Sequence, residues 1–283
     1  MDDNGIILFT HVLRTGGGTI KKLFRRNYPI RKFKYNAIYG IYTLCGEKLN
    51  RRRNWKFVDG FFPYGFHKKI KKITDGKDIK YITFVRTPYQ RWKSFFYYYY
   101  YMLCPNDKSR WFYHIWKFCA GEDFLKFLEY CLEHQIQYNT MTLQFSGGER
   151  RKNIVYQNPN LNVEIDLKGI VNENDYLNST HSYVGSKRKK KYEHSDMIHF
   201  LEKAKYNVKN NYHFVGVMEY FKKDINKMIN ILDLNRYSIS KINRGKYPQI
   251  YPWQNNRKAK ILLNELNKYD KRLYQYILEE RRR

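Results

Sequence analysis

Short apolar runs alternate along the chain with longer stretches in which apolar residues recur every three or four positions. The short runs are rich in β-branched and aromatic residues and predict buried strands at residues 5–9, 55–58, 79–85 and 212–217. The longer stretches predict helices that begin near residues 20 and 90, and others at 123–135, 198–211, 219–232 and 258–278. Strands that alternate with helices predict an α/β fold, with a mostly parallel sheet between two layers of helices.

The composition fits one soluble domain. A chain of 283 residues, 42% of them hydrophobic, can build one large core, and we predict a single domain over residues 1–283. No apolar run approaches the length of a membrane span and no signal peptide is recognisable, so we expect a soluble, cytoplasmic protein. The cysteines are too scattered to predict a metal site. They are Cys45, Cys104, Cys119 and Cys131.

The charge balance is strongly basic. Lysine and arginine total 54 against 26 aspartate and glutamate residues, which gives a formal net charge of +28. Such an excess indicates polyanionic partners or a heavily solvated surface. Nucleic acid, an anionic membrane surface, an acidic polysaccharide and a nucleotide all fit the charge, and charge alone does not choose among them.

The first candidate site is a glycine-rich segment between the first predicted strand and the first predicted helix. Backbone N–H groups and the positive end of the helix dipole would face outward there, and glycine lets an anion approach the backbone. A tight turn without a ligand is the alternative. The segment has neither the Gly-Lys-Ser/Thr ending of a Walker A loop nor the spacing of a dinucleotide-binding loop. The predicted anion-binding residues are Arg14, Thr15, Gly16, Gly17, Gly18 and Thr19.

The second candidate site follows the strand predicted at residues 79–85. That strand ends on Arg86, Pro88 sets a turn, and Ser94 lies about two turns into the next helix. An arginine at the carboxyl end of a strand and a nearby serine can hold one phosphate, because the guanidinium supplies charge and the hydroxyl a directional donor. A surface arginine with an ordinary helix serine is the alternative.

Together these segments resemble the two signatures of the Golgi-type and bacterial sulfotransferases, and the chain is similar to heparan sulfate 2-O-sulfotransferase-like proteins. His11 and residues 15–17 match the loop that binds the 5′-phosphosulfate of 3′-phosphoadenosine 5′-phosphosulfate (PAPS) in that family. Arg86 and Ser94 match the pair that binds its 3′-phosphate. The likeness continues in order through residues 60–67, 139–147, 214–219 and 267–274, and therefore spans nearly the whole chain.

The resemblance implies a P-loop-kinase-like three-layer fold and a specific reaction. PAPS would be the co-substrate, with no metal, and the acceptor would be a hydroxyl or amine, expected on an anionic carbohydrate. The physics is close to phosphoryl transfer, in which the enzyme positions the groups in line and neutralises charge. Nucleic acid is not the expected partner under this interpretation.

The chain departs from the family at two catalytic positions. Arg14 stands where the family has a lysine that stabilises the leaving phosphate, and a planar guanidinium has a different reach. Phe61 stands where the family often has a histidine base, and phenylalanine cannot accept a proton. Asp59 and His67 are the nearest substitutes. Asp59 could equally cap the turn before Gly60. For His67, a structural hydrogen-bonding role is favoured over that of a base.

Other functions stay open from the sequence. Phe61 and Arg14 support a catalytically impaired relative that binds nucleotides or polyanions. A nucleotide kinase lacks the Walker lysine, and a nucleic-acid-binding protein is supported by charge alone. The basic residues 187–191, with Arg244 and Lys246, could hold an anionic acceptor, cover the nucleotide or be solvated.

Overall fold

The computed structural model describes residues 5–28, 33–34, 55–68, 70–97, 124–133, 138–147, 192–235 and 256–283. The strands are β1 Gly5–Thr10, β2 Phe33–Lys34, β3 Phe57–Gly60, β4 Asp78–Val85 and β5 Tyr212–Val217. The helices are α1 Gly17–Asn27, α2 Lys71–Thr74, α3 Pro88–Tyr97, α4 Phe124–Glu133, α5 Thr140–Phe145, α6 His194–Asn210, α7 Phe221–Ile231, α8 Arg257–Leu266 and α9 Lys268–Arg282. Short 3₁₀ turns occupy Phe66–Lys68 and Met218–Tyr220.

The strands form one sheet in the order β2-β3-β1-β4-β5, and every neighbouring pair is parallel. β1 lies in the middle and all of its residues are buried. Its apolar sequence suits this place, because a parallel strand covered on both faces has no solvent side. The chain builds β2 and β3 on one side of β1 and then crosses to β4 on the other side. Open α/β sheets bind ligands at such a reversal, beyond the carboxyl ends of the strands. The predicted α/β class with a parallel sheet is confirmed.

Helices cover both faces of the sheet. Alternate residues of β1 point to opposite faces, so Ile6 and Leu8 enter one core while Ile7 and Phe9 enter the other. The first core is completed by residues of α5, α6 and α9, and the second by residues of α1 and α7. Each fully buried side chain of this size contributes about 1.5–3 kcal/mol to folding. The two cores fix the sheet between its helices, so the strand ends have defined positions.

Two helices differ most from the bounds that the sequence predicts. The stretch predicted as one helix over residues 258–278 is divided into α8 and α9 at Asn267. The Oδ1 atom of Asn267 accepts hydrogen bonds from Trp92 and Arg91, and the side chain of Asn139 accepts from the first backbone N–H groups of α9. The helix predicted at 198–211 begins at His194 instead, because Glu193 and Asp196 form a reciprocal capping box.

Several predicted features lie outside the described residues. These are the basic residues 187–191, Arg244, Lys246, Cys45, Cys104 and Cys119. Cys131 is buried in α4. No helix within the described ranges combines the length and the apolar character needed to cross a membrane.

Candidate functional site

The carboxyl ends of the parallel strands meet at one edge of the sheet, and both candidate segments lie there. The glycine-rich loop follows β1, the turn at Arg86 follows β4, and Phe61 follows β3. Because β1 pairs with both β3 and β4, its loop is flanked by the ends of the other two strands. This edge is where open α/β sheets bind ligands.

The glycine-rich loop has the strand–loop–helix form that the sequence predicts. Its backbone is left-handed at Arg14, with φ +70°, and at Gly16, with φ +78°. A Cβ atom on Gly16 would lie 2.8 Å from the Met218 sulfur, so glycine is required there for packing as well as for backbone angle. The buried Thr15 hydroxyl donates to the Val12 carbonyl at 2.7 Å. The Thr15 side chain therefore stabilises the loop from within.

Helix α1 begins with backbone groups that can bind an anion. Gly17 and Gly18 are its first two residues, whose N–H groups have no acceptor within a helix. Gly18 is exposed, whereas Thr19 is buried and its N–H donates to the Gly16 carbonyl at 3.0 Å. No acidic residue lies in the first turn. The helix dipole and these amides make the start of α1 a suitable place for phosphate or sulfate.

A hydrogen bond joins the two candidate segments. The Arg14 Nε–H donates to the Ser94 Oγ at 3.1 Å, although the residues are 80 positions apart. Ser94 is buried in α3, and Arg86 is half-buried at the start of the turn before that helix. The structure thus brings Arg14 and Ser94 into contact and places Arg86 at the same edge. The phosphate-binding roles of Arg14, Ser94 and Arg86 remain predictions.

His11 supports the loop from below. Its ring stacks between Phe9, at a centroid distance of 5.3 Å, and Phe61, at 4.8 Å. A Cβ atom on Gly17 would lie 2.0 Å from the His11 Nε2, so the imidazole packs directly on the start of α1. Burial lowers the pKa of His11 to about 4, against the opposing charge of Asp59 and with smaller lowering effects from Lys21 and Arg14. His11 is therefore a neutral, packed side chain near pH 7.

Asp59 is fully buried, pairs with Lys21 and lies near His11. Its Oδ2 lies 3.1 Å from the Lys21 Nζ, and its Oδ1 lies 3.5 Å from the His11 Nδ1. The sequence did not indicate that Lys21 reaches the end of β3. That contact depends on how α1 lies across the sheet. These contacts are those of a counter-ion, and the proposed role of Asp59 as a general base stays a prediction.

His67 lies against the middle of β4. Its Nδ1 is 3.0 Å from the Tyr81 hydroxyl, and its backbone N–H donates to the same oxygen. Burial, followed by the charge of Lys68, lowers the pKa of His67. Tyr81 precedes Arg86 by five positions, or about 16 Å along an extended strand. His67 therefore contacts β4 well before the carboxyl end of that strand. Its role as a base also stays a prediction.

Glu219 also lies at this edge. In the sequence, only the family-like segment 214–219 drew attention to it. It follows β5, and its Oε1 accepts a hydrogen bond from the Thr87 N–H at 3.0 Å. The Tyr274 hydroxyl donates to its Oε2 at 2.9 Å. Glu219 therefore connects the turn after Arg86 with α9. A glutamate just after a strand is the available sequence signal, but its partners are remote in the chain.

A second group of polar residues is buried beneath this edge. Arg91, in α3, lies 3.4 Å from the Asp270 carboxylate and donates to Asn267. Asp270 also accepts from the backbone N–H and hydroxyl of Thr142. We refer to Arg91, Thr142, Asn139, Asn267 and Asp270 as the buried polar cluster. It joins α3, α5 and α9, and its residues come from three of the family-like segments.

The comparisons with known proteins do not assign the chain to a family. No protein-family model matches the chain, and no curated protein matches its sequence. Within the described residues, no group of three or more histidine, cysteine, aspartate or glutamate side chains is arranged to hold a metal ion. The arrangement at the edge is chemically suited to bind anions through backbone N–H groups, a hydroxyl and guanidinium charge.

Proposed function

We propose that this protein is a sulfotransferase with a P-loop-kinase-like fold. It would transfer a sulfuryl group from PAPS to a hydroxyl or amine of a carbohydrate acceptor. The parallel sheet with a glycine-rich loop after its central strand is the scaffold that this proposal requires. The resemblance of the chain to the two sulfotransferase signatures supplies the reaction.

The hydrogen bond between Arg14 and Ser94 is the observation that carries the proposal. Two segments separated by 80 positions each resemble one half of a PAPS site, and their key side chains are 3.1 Å apart. A chance likeness in one loop would not require contact with the second segment. The contact supports one binding site with two anion-binding parts.

The roles of the residues follow from their chemistry. The start of α1 would hold the 5′-phosphosulfate through the Gly17 and Gly18 amides, and Arg86 with Ser94 would hold the 3′-phosphate. Arg14 would neutralise the charge that develops on the leaving phosphate as the acceptor oxygen or nitrogen bonds to sulfur and the bridging S–O bond breaks. The acceptor proton must pass to a base. Asp59 can take it only if its pairing with Lys21 is released.

Calorimetry with 3′-phosphoadenosine 5′-phosphate (PAP) tests the binding site. We expect measurable binding to the wild-type protein. Arg86→Ala should weaken it about ten- to hundredfold, because a hydrogen bond to a charged group is worth about 1.5–3 kcal/mol. Arg272→Ala removes an exposed arginine of α9 and is the matched control. Absence of PAP binding to the wild-type protein would reject the cofactor assignment.

Transfer of labelled sulfate from PAPS to a panel of glycans tests the reaction itself. Incorporation that depends on Arg14 and Ser94 is the expected result. Asp59→Asn and His67→Ala separate the two base candidates, since only the base should be needed for turnover while PAP binding persists. Full activity in both variants would exclude both residues as the base.

The second candidate function is a catalytically impaired relative that binds PAP or other anions. Its support is the environment of Asp59, which is fully buried and paired with Lys21, together with the stacking of Phe61 on His11. These contacts occupy the place where the family often has its base. PAP binding without sulfate incorporation on any tested glycan would favour this function over the enzyme.

A further inference from the structure

Glu219 follows β5 at the carboxyl edge and uses both of its carboxylate oxygens within the fold. Its Oε1 accepts a hydrogen bond from the Thr87 N–H at 3.0 Å, and its Oε2 accepts one from the Tyr274 hydroxyl at 2.9 Å. Glu219 and Thr87 are 132 positions apart in the chain. A negative charge at an edge suited to anions repels the ligand, so its place there needs a physical reason.

Thr87 links the two residues that are predicted to hold the 3′-phosphate. Its N–H belongs to the planar peptide group that follows Arg86, so a hydrogen bond to this N–H restricts the backbone of Arg86. Its carbonyl accepts from the Arg91 N–H at 2.9 Å, in the first turn of α3. Ser94 lies in the next turn of the same helix. The position of Arg86 relative to Ser94 therefore depends on how Thr87 is fixed.

Helix α9 fixes the segment that carries Glu219. Burial, followed by the hydrogen bond to Glu219, raises the pKa of Tyr274, so its hydroxyl keeps the proton that it donates. Further along α9, Arg281 pairs with the buried Asp224. The Asp224 Oδ2 also accepts from the Val217 N–H at 2.7 Å, at the end of β5. Glu219 lies between Val217 and Asp224, and therefore on a segment with a defined position.

We propose that Glu219 is a positioning residue for the 3′-phosphate of the nucleotide. It fixes the peptide group after Arg86 and thereby directs the guanidinium to the phosphate that Ser94 also binds. This role rests on the proposed function, which supplies the phosphate. Glu219 does not bind the nucleotide itself, because an ionised carboxylate has no proton to donate to a phosphate oxygen.

Calorimetric titration of the full chain with PAP tests this role through two substitutions of Glu219. Glu219→Ala removes both acceptors, and we expect PAP affinity to fall about fivefold, because a displaced guanidinium keeps only part of its hydrogen bonding. Glu219→Gln keeps an oxygen for the Thr87 N–H and an amide that can donate to the Tyr274 oxygen. Its PAP affinity should equal or exceed that of the wild type. A loss as large as that of Glu219→Ala would overturn the proposal, because the hydrogen-bond geometry would then not be the cause.

A double-mutant cycle with Arg86→Ala separates positioning from general support of the fold. If Glu219 acts through Arg86, Glu219→Ala should cost no further PAP affinity once the guanidinium is absent. An equal loss in both backgrounds would overturn the proposal, since the effect would not pass through Arg86. Thermal denaturation of each variant sets a titration temperature at which all of them are folded.

Arg281→Gln is the matched control. It removes the partner of Asp224 on the same segment and leaves both donors to Glu219 in the chain. We expect a lower melting temperature with PAP affinity unchanged. PAP affinity that falls as far as in Glu219→Ala would overturn the proposal, because any loosening of the segment would then have the same effect.

The outcomes distinguish this role from the proposed function. PAP binding to the wild type, with unchanged affinity in Glu219→Ala, would reject the positioning role alone. Absence of PAP binding to the wild type would reject the cofactor assignment and the positioning role together. Weaker binding in Glu219→Ala that disappears in the Arg86→Ala background would support both.

Discussion

Two arginines of one segment lie in different regions of the molecule. Arg86 is half-buried at the carboxyl edge, whereas Arg91 is fully buried and lies against the Asp270 carboxylate. They are five positions apart, and both match the same family signature. One is placed where it can bind a ligand, and the other connects three helices through the buried polar cluster. One sequence signature therefore includes both a residue placed where a ligand could bind and a residue that stabilises the fold.

The difference has a physical basis in solvation. A guanidinium at the edge keeps contact with water, which a phosphate can replace. The buried Arg91 has no such exchange. Burial lowers its pKa while the Asp270 charge opposes that change, and burial raises the pKa of Asp270 while Arg91 opposes it. Each charge is tolerated because the other is present.

The largest expected effect comes from removing one charge of the buried pair. Arg91→Met leaves the Asp270 carboxylate in the core without its cation, and we expect the free energy of unfolding to fall by about 3–5 kcal/mol. Urea denaturation followed by circular dichroism measures this change. Arg86→Met is the matched control, and its effect on unfolding should stay below about 1 kcal/mol. Equal losses in both variants would contradict the distinction between the two arginines.

The next prediction concerns the pH dependence of stability. It tests whether His11, at the carboxyl edge of the sheet, has a packing role. The pKa of His11 is lowered to about 4 in the folded protein, whereas an unfolded histidine titrates near 6.5. Between these values the unfolded chain binds the extra proton, so stability falls as pH falls from about 6.5 to 4. The contribution is complete above pH 6.5 and amounts to about 3 kcal/mol.

Denaturation curves at a series of pH values measure this contribution. The stability of His11→Gln should decline less than that of the wild type between pH 6.5 and 4, because glutamine does not titrate. His213→Gln is the control, since His213 is exposed on β5 and lies outside the candidate site. A wild-type decline that His11→Gln reproduces in full would show that other groups cause it.

Strands β1, β3, β4 and β5, most helices and the glycine-rich loop could be predicted from the sequence because their signals are local, whereas the two-residue β2 was not predicted. The apolar run before Thr10 and the glycines after Arg14 lie within a few positions of one another. The common edge of the sheet then follows from parallel strands, since their carboxyl ends lie on one side. The sequence was therefore sufficient to predict the fold class and the proximity of the two candidate segments.

The partners of the buried charges could not be predicted, because they are remote in the chain. Arg91 and Asp270 are 179 positions apart, and no local pattern distinguishes Arg91 from Arg86. The pairing of Lys21 with Asp59 depends on the packing of α1 over β3. The break at Asn267 interrupts no apolar pattern, since α8 and α9 both bury apolar side chains.

The smallest of these effects separates packing from binding within the loop itself. Gly17→Ala places a methyl group on the His11 ring, and we expect a loss of about 1–3 kcal/mol from overpacking. Gly18→Ala, at an exposed position one residue later, should change stability by less than about 1 kcal/mol. Thermal denaturation of both variants, repeated in a His11→Ala background, forms a double-mutant cycle. The cost of Gly17→Ala should largely disappear in that background, because the ring that opposes the methyl group is gone. A cost that persists without the ring would mean that Gly17 is needed for its backbone or for an anion, and not for contact with His11.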